Sequence, residues 1–158
     1  MKSLLLLSAL VFLSAASFAQ IKVFRGTSSY SSDIICTLLD GKVYKQTSNY
    51  TSDILCTVRS EKIYKGQSAY SIDVIYTVVE GRVFKGNSNY TSDILFTIKD
   101  GKIYKGTSGY SSDVIATIKE GKVYTANSSY TSDIEFIIQG NATIEEFAAI
   151  WYVVKYCY

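Results

Sequence analysis

Apolar and polar positions along residues 21–140 recur with a period of twenty, six times over and without insertion or deletion. The copy at 101–120, GKIYKGTSGYSSDVIATIKE, shows the pattern best. It holds a short run, Lys102-Ile103-Tyr104-Lys105, and a longer one at 113–118. Both are too short for helices and rich in β-branched and aromatic residues, so each copy predicts two strands. Between one copy's long run and the next copy's short run stand Asp40-Gly41, Glu80-Gly81, Asp100-Gly101 and Glu120-Gly121. An acidic residue followed by Gly between strands predicts a two-residue hairpin turn with Gly at positive φ. The third junction, Ser60-Glu61, lacks the Gly and predicts a slightly strained turn. The other connection, Ser-x-Tyr-Ser/Thr-Ser-Asp, predicts a longer polar loop whose Ser and Asp side chains bond nearby backbone groups.

Taking the acidic–Gly pair as the turn fixes the register: Ile98 faces Ile103, Thr97 faces Tyr104, and Phe96 faces Lys105. One face then collects Ile103, Val114, Ala116 and Ile118, and the other Tyr104, Ile115 and Thr117. Both faces are partly apolar, which predicts a sheet covered on one side and half wetted on the other. Six hairpins make about twelve antiparallel strands. An open sheet of that size leaves two unpaired edges, so the fold expected is all-β, a closed ring or shallow barrel. A parallel solenoid of twenty-residue coils suits the period equally but gives no reason for a tight acidic–Gly turn. A propeller blade needs about twice the length.

After Gly140 the period stops. Thr143-Ile144-Glu145-Glu146 predicts a capping box opening a helix, with its acidic residues at the positive helix end. The residues that follow are apolar all round, and a helix without a polar face is buried. At roughly 24 Å it is too short to cross a bilayer comfortably. A twelve-strand ring has a backbone radius of about 11 Å, and its hole is close to the ~10–12 Å width of one helix. The tail, 141–158, is therefore expected to plug the barrel within the same domain, through Phe147, Ile150, Trp151 and Val154. Packing on a membrane or a partner is the rival. The sixteenth position varies in size (Cys36, Cys56, Tyr76, Phe96, Ala116, Phe136), as a symmetric wall meeting an unsymmetric plug requires.

The acidic-Gly-Lys-Val/Ile-Tyr turns, as in Asp40-Gly41-Lys42-Val43-Tyr44 and Asp100-Gly101-Lys102-Ile103-Tyr104, resemble those of the β-flower proteins. That family comprises shallow symmetric barrels of repeated hairpin petals, including four-fold β-flowers, and the likeness covers residues 21–140. It implies a barrel similar to tubby-like and scramblase-like domains, which hold a hydrophobic helix inside. This chain departs in having six copies rather than four.

Composition changes the picture mainly at the start. Residues 1–19 read as a secretory signal peptide: Lys2, an apolar core from Leu4 to Leu13, then Ser17-Phe18-Ala19. Gln20 would open the mature chain, and an uncleaved anchor is the alternative. Secretion, or delivery to the periplasm or cell envelope, is the expected localisation. With Lys2 set aside, 15 basic residues face 14 acidic ones, spread evenly through the repeats, so no nucleic-acid partner is expected. Of three cysteines, Cys36 and Cys56 occupy equivalent positions two strands apart, too far for a disulfide, and read as small buried hydrophobes.

The chain has no His, which removes Ser–His and Cys–His nucleophiles and the commonest zinc sites. No catalytic, cofactor or metal site is expected, and no enzyme activity. Six equivalent Asp residues, one per loop, read as loop chemistry rather than calcium ligands. A recurring Tyr reads first as a packing wedge between petals. Its alternative is a ligand-binding rim of Tyr30, Tyr50, Tyr70, Tyr90, Tyr110 and Tyr130, stacking on sugars or engaging a repetitive ligand by avidity. The function expected is an exported, monomeric, non-enzymatic binding or structural module for a glycan, envelope component or protein. The alternative is a lipid-associated module acting through the apolar tail.

Overall fold

The computed structural model describes residues 20–158, so the expected signal peptide at 1–19 lies outside the described residues. Twelve strands follow one another: β1 (Ile21–Arg25), β2 (Ile34–Leu39), β3 (Lys42–Lys45), β4 (Ile54–Arg59), β5 (Lys62–Lys65), β6 (Val74–Val79), β7 (Arg82–Lys85), β8 (Ile94–Lys99), β9 (Lys102–Lys105), β10 (Val114–Lys119), β11 (Lys122–Thr125) and β12 (Ile134–Gln139). Each pairs antiparallel with its neighbours in sequence, and β12 pairs with β1 through Lys22–Gln139, Val23–Ile138, Phe24–Ile137 and Arg25–Phe136, closing the barrel. Ring closure removes both sheet edges, which a solenoid would not. The hairpin register is the expected one: Ile98 opposite Ile103, Thr97 opposite Tyr104, Phe96 opposite Lys105.

Asp40 and Gly41 both take positive φ, 50° and 69°, as a tight hairpin turn requires. Glycine is needed there for space as well as for φ. A Cβ on Gly81 would sit 2.4 Å from the Ile98 carbonyl oxygen, because Ile98 N donates to the Gly81 carbonyl at 2.7 Å. At the third junction Ser60 keeps a φ of 52°, while Glu61 leaves the left-handed region and still accepts from Val78 N at 2.7 Å. The strain expected at Ser60-Glu61 thus falls on Ser60 alone.

The face assignment of Val114 and Ile115 needs correction. A bulge pairs Val114 with Tyr104 and Ala116 with Ile103, skipping Ile115. One extra residue exchanges the faces of what precedes it, so Val114 lies outside with Tyr104, and Ile115 turns inward. The same shift recurs in every copy, which is why Ile35 and Cys36 both join the inner core. On the outer face, Thr37, Thr57, Thr77, Thr97 and Thr117 each donate a hydroxyl to the carbonyl of the residue after the neighbouring short strand, at 2.6–2.9 Å. Ile137 replaces this Thr at the closing seam.

The single helix, α1 (Ile144–Tyr156), opens on the capping box: Glu146 N donates to Thr143 Oγ1 at 3.2 Å and Thr143 N donates to Glu146 Oε2 at 2.9 Å. It fills the barrel. Phe147, Ala148, Ala149, Ile150, Trp151 and Val153 are buried in one core with the inner residues of all six hairpins. The Trp151 ring lies 6.2 Å from that of Phe96 and 6.3 Å from that of Phe136, and Tyr152 meets Tyr76 edge-on at 5.7 Å. The helix backbone runs nearest β2, β4, β5 and β6.

Candidate functional site

Each copy's loop is closed by its own side chains. Ser28 Oγ donates to Asp33 Oδ2 at 2.5 Å and accepts from Tyr30 N at 3.1 Å, while Asp33 N donates to the Tyr30 carbonyl at 3.0 Å. The Ser–Asp bond recurs in all six copies. The Asp carboxylate therefore acts through the Ser hydroxyl rather than on the backbone directly, and the Ser passes the bond on to the Tyr amide. The same turn, a short 3-10 segment such as Ser31–Asp33, holds the Tyr backbone extended.

The loop thus closes without using the Tyr ring, and the ring is left outside. Tyr30, Tyr50, Tyr70, Tyr90, Tyr110 and Tyr130 are 72–77% exposed. A wedge between petals would be buried, so the wedge reading is overturned. That task falls to the aromatic six residues earlier on the outer face: Phe24, Tyr44, Phe84 and Tyr124 are buried there, packed beside Ile34, Ile54, Ile94 and Ile134. Six solvent-facing phenols on one end of a barrel are unusual, because large aromatic side chains left in water mark interaction sites.

Sequence reasoning missed the cations beside them. Around Tyr110, an open cleft is lined by Lys105, Thr107, Ser108, Gly109 and Asp113, and the equivalent residues Lys45, Thr47, Ser48, Asn49 and Asp53 line one at Tyr50. Arg25, Lys65 and Lys85 hold the same place in three further copies, and Thr125 in the sixth. The signal was available: Lys105 opposite Phe96 puts this position on the inner face, where the barrel ends and the loops begin. Each niche offers a stacking ring, hydroxyls and a hydrogen-bonded carboxylate, and five of the six add a cation. That set can hold a polar ligand. It contains no activated nucleophile.

The remaining candidates belong to the interior. Phe147, Ile150 and Trp151 are buried and Val154 half-buried against the barrel wall. Cys36 and Cys56 are fully buried, unpaired thiols; burial pushes Cys36 up to about 12 and raises Cys56 further. Burial also raises Tyr76, helped by Tyr156. These groups stay protonated and inert at ordinary pH. Among the described residues no three His, Cys, Asp or Glu side chains come together as a metal site would need.

No curated protein and no solved structure matches the chain. The family model of the 6-fold beta flower protein matches residues 23–151, spanning the repeats and most of the helix. Six copies are thus this family's own number, and the chain belongs to the 6-fold beta flower proteins.

Proposed function

We propose that the protein is an exported, non-enzymatic binding module whose tyrosine rim engages a repetitive ligand, a glycan being the best fit. The observation that carries this reading is the exposure of all six rim tyrosines in loops that do not need them for closure. A phenol ring gives a flat apolar face for a sugar and a hydroxyl for its edge. Six weak, similar niches on one ring, five of them with a cation, bind a repeating polymer by avidity, each contact raising the effective concentration at the next. Export rests on the signal-like segment at 1–19. The lipid-associated alternative draws less support, because the tail's apolar residues are already packed inside the barrel.

The test is sedimentation of the full mature chain with insoluble glycans and isolated envelope material, beside a variant with all six rim tyrosines changed to Ser. Loss of co-sedimentation in that variant, with an unchanged melting temperature, supports the rim. Equal sedimentation of the two proteins, or of neither, sinks it.

A further inference from the structure

Away from the rim, the outer wall near the hairpin turns carries cations in a pattern that the fold alone does not favour. The second position of every copy is Lys or Arg and faces outward. In the register of the turns, Lys99 stands directly opposite Lys102 and Lys119 directly opposite Lys122. Like charges placed opposite one another destabilise a strand pair. Neither pair is relieved by an acid, since among the described residues the only ion pair is Lys155 with Glu135. With Arg82 the four lysines form a staggered row across β7, β8, β9, β10 and β11, since Arg82 stands opposite Thr97 and Lys102 opposite Thr117, each two residues short of the next lysine. Four strand spacings with two such offsets make it roughly 23 Å long. Elsewhere the belt is shorter: Leu39, Val79 and Gln139 interrupt it and leave a run of three, Lys42, Arg59 and Lys62, with Arg59 opposite Lys62. Beside the row lies a groove of about 480 Å³, lined by Arg82 and Lys99 with one carboxylate, Glu80, and by Thr91 and Ser108.

We propose that this row, Arg82-Lys99-Lys102-Lys119-Lys122, is a second binding site, for a linear acidic polysaccharide lying across the strands. A flat bilayer fits it poorly. The row bends around a convex wall, and a membrane meeting the turn end would first face Glu80, Asp100 and Glu120. Nucleic acid would bring bases that need stacking partners, yet the aromatic residues above the row, Phe84, Tyr104 and Tyr124, are buried or half-buried. A polymer bearing carboxylates at intervals along a flexible chain needs only the cations. The row lies at the turn end of the wall, away from the rim tyrosines, and its groove meets the Tyr110 niche only at Thr107, Ser108 and Gly109.

The test uses the full mature chain and two variants of equal net charge: K99Q/K102Q/K119Q/K122Q in the row, and K22Q/K42Q/R59Q/K62Q on the opposite wall. Affinity for polygalacturonate is measured at low and moderate salt, with neutral dextran, vesicles containing anionic phospholipid and an oligothymidylate as comparators. The row variant is expected to bind polygalacturonate about tenfold more weakly or worse, with a shallower salt dependence, while the opposite-wall variant keeps most of its affinity. A third variant, K102E/K122E, turns each like-charge pair into an opposite one; it should melt higher and still lose binding. Equal losses in the first two variants, or none, overturn the site. Tighter binding to vesicles or oligothymidylate, abolished by the same row substitutions, overturns the polysaccharide.

Discussion

The third position of every copy is Val or Ile, fully buried in all six, whereas the sixteenth, its neighbour across the ladder, ranges from Ala116 to Tyr76. Both face the shared core, and at the variable one Tyr76 meets Tyr152 while Phe96 and Phe136 meet Trp151. α1 runs off the barrel axis, close to β2 and β4, where the wall supplies Cys36 and Cys56. Across the wider gap, Phe96 on β8 and Phe136 on β12 reach in to Trp151. Between those strands β10 carries Ala116, which leaves room for the indole. Position fifteen tells the same story, being Ile or Leu in five copies and Glu135 in the sixth, where Lys155 of the helix pairs with it. A repeated wall thus closes by symmetry, and single substitutions within the repeat fit it to one asymmetric guest.

Removing the guest should therefore have the largest effect. A chain ending at Gly140 would lose six buried helix side chains, at about 1.5–3 kcal/mol for each large one. That approaches the whole stability of a domain of this size, about 5–15 kcal/mol. The truncated chain is expected to show no cooperative thermal transition by circular dichroism and rapid limited proteolysis. A melting profile unchanged from the full chain would show that the wall stands alone.

Trp151→Ala breaks the match at one point. Trp151 is 5% exposed and in contact with three aromatic rings, so a loss of about 3–5 kcal/mol is expected from urea unfolding. Ala116→Phe tests the complementary side by filling the space reserved for the indole. Overpacking should cost about 1–3 kcal/mol, although Phe stands at the same place in two other copies. If Phe were tolerated at 116 without loss, the sixteenth position would not be reading the helix at all.

The thiols beneath the helix make stability fall at high pH. In the unfolded chain Cys36 ionises near its ordinary value of 9.0, whereas in the barrel burial holds it protonated to about 12. The unfolded state therefore releases its proton first. The stability this protonation confers is intact below pH 9 and lost as pH rises from 9 toward 12. The slope approaches about 1.4 kcal/mol per pH unit for each such thiol. Cys56 shifts in the same direction for the same reason. Melting temperatures of the protein and of a C36A/C56A variant should diverge in slope above pH 9; parallel curves would mean the thiols are not held in the interior.

Much of this architecture was legible in the sequence because it repeats. The period set the strands, the acidic–Gly pairs set the register, and Thr143 with Glu146 set the helix start. What escaped notice depends on backbone geometry that residue types do not announce. A one-residue bulge sent Ile115 inward and Val114 outward, and alternation alone cannot show such a shift. The rim tyrosines read as wedges because aromatic residues usually pack, and only the Ser–Asp bond, which closes the loop without them, frees them to face water. The niche cations were hidden by the same habit: the register already set Lys105 opposite Phe96, but a lysine at a strand end reads as an ordinary surface residue.

The smallest expected effect tests a second glycine position in the repeat, the sixth. Gly26, Gly66, Gly86 and Gly106 all sit there at φ between 54° and 59°, and Gln46 and Ala126 are held at 50°. Space is not the constraint, since a Cβ on Gly66 would find nothing nearer than 3.8 Å. The left-handed conformation is, at about 1–2 kcal/mol for a side chain that has a Cβ. Glycine's greater freedom in the unfolded chain offsets part of that. Gln46→Gly and Ala126→Gly should each raise stability by about 0.5–1 kcal/mol, read as a higher urea midpoint with an unchanged slope. Both keep the backbone bonds that define the site: Gln46 N and Ala126 N donate to Ile35 and Ile115, and both carbonyls accept from Thr37 and Thr117. The two lie four strands apart around the ring and share no partner, so their effects should add. A fall in the midpoint would mean that these two copies gain something from their side chains, and that even the wall departs from symmetry for a reason.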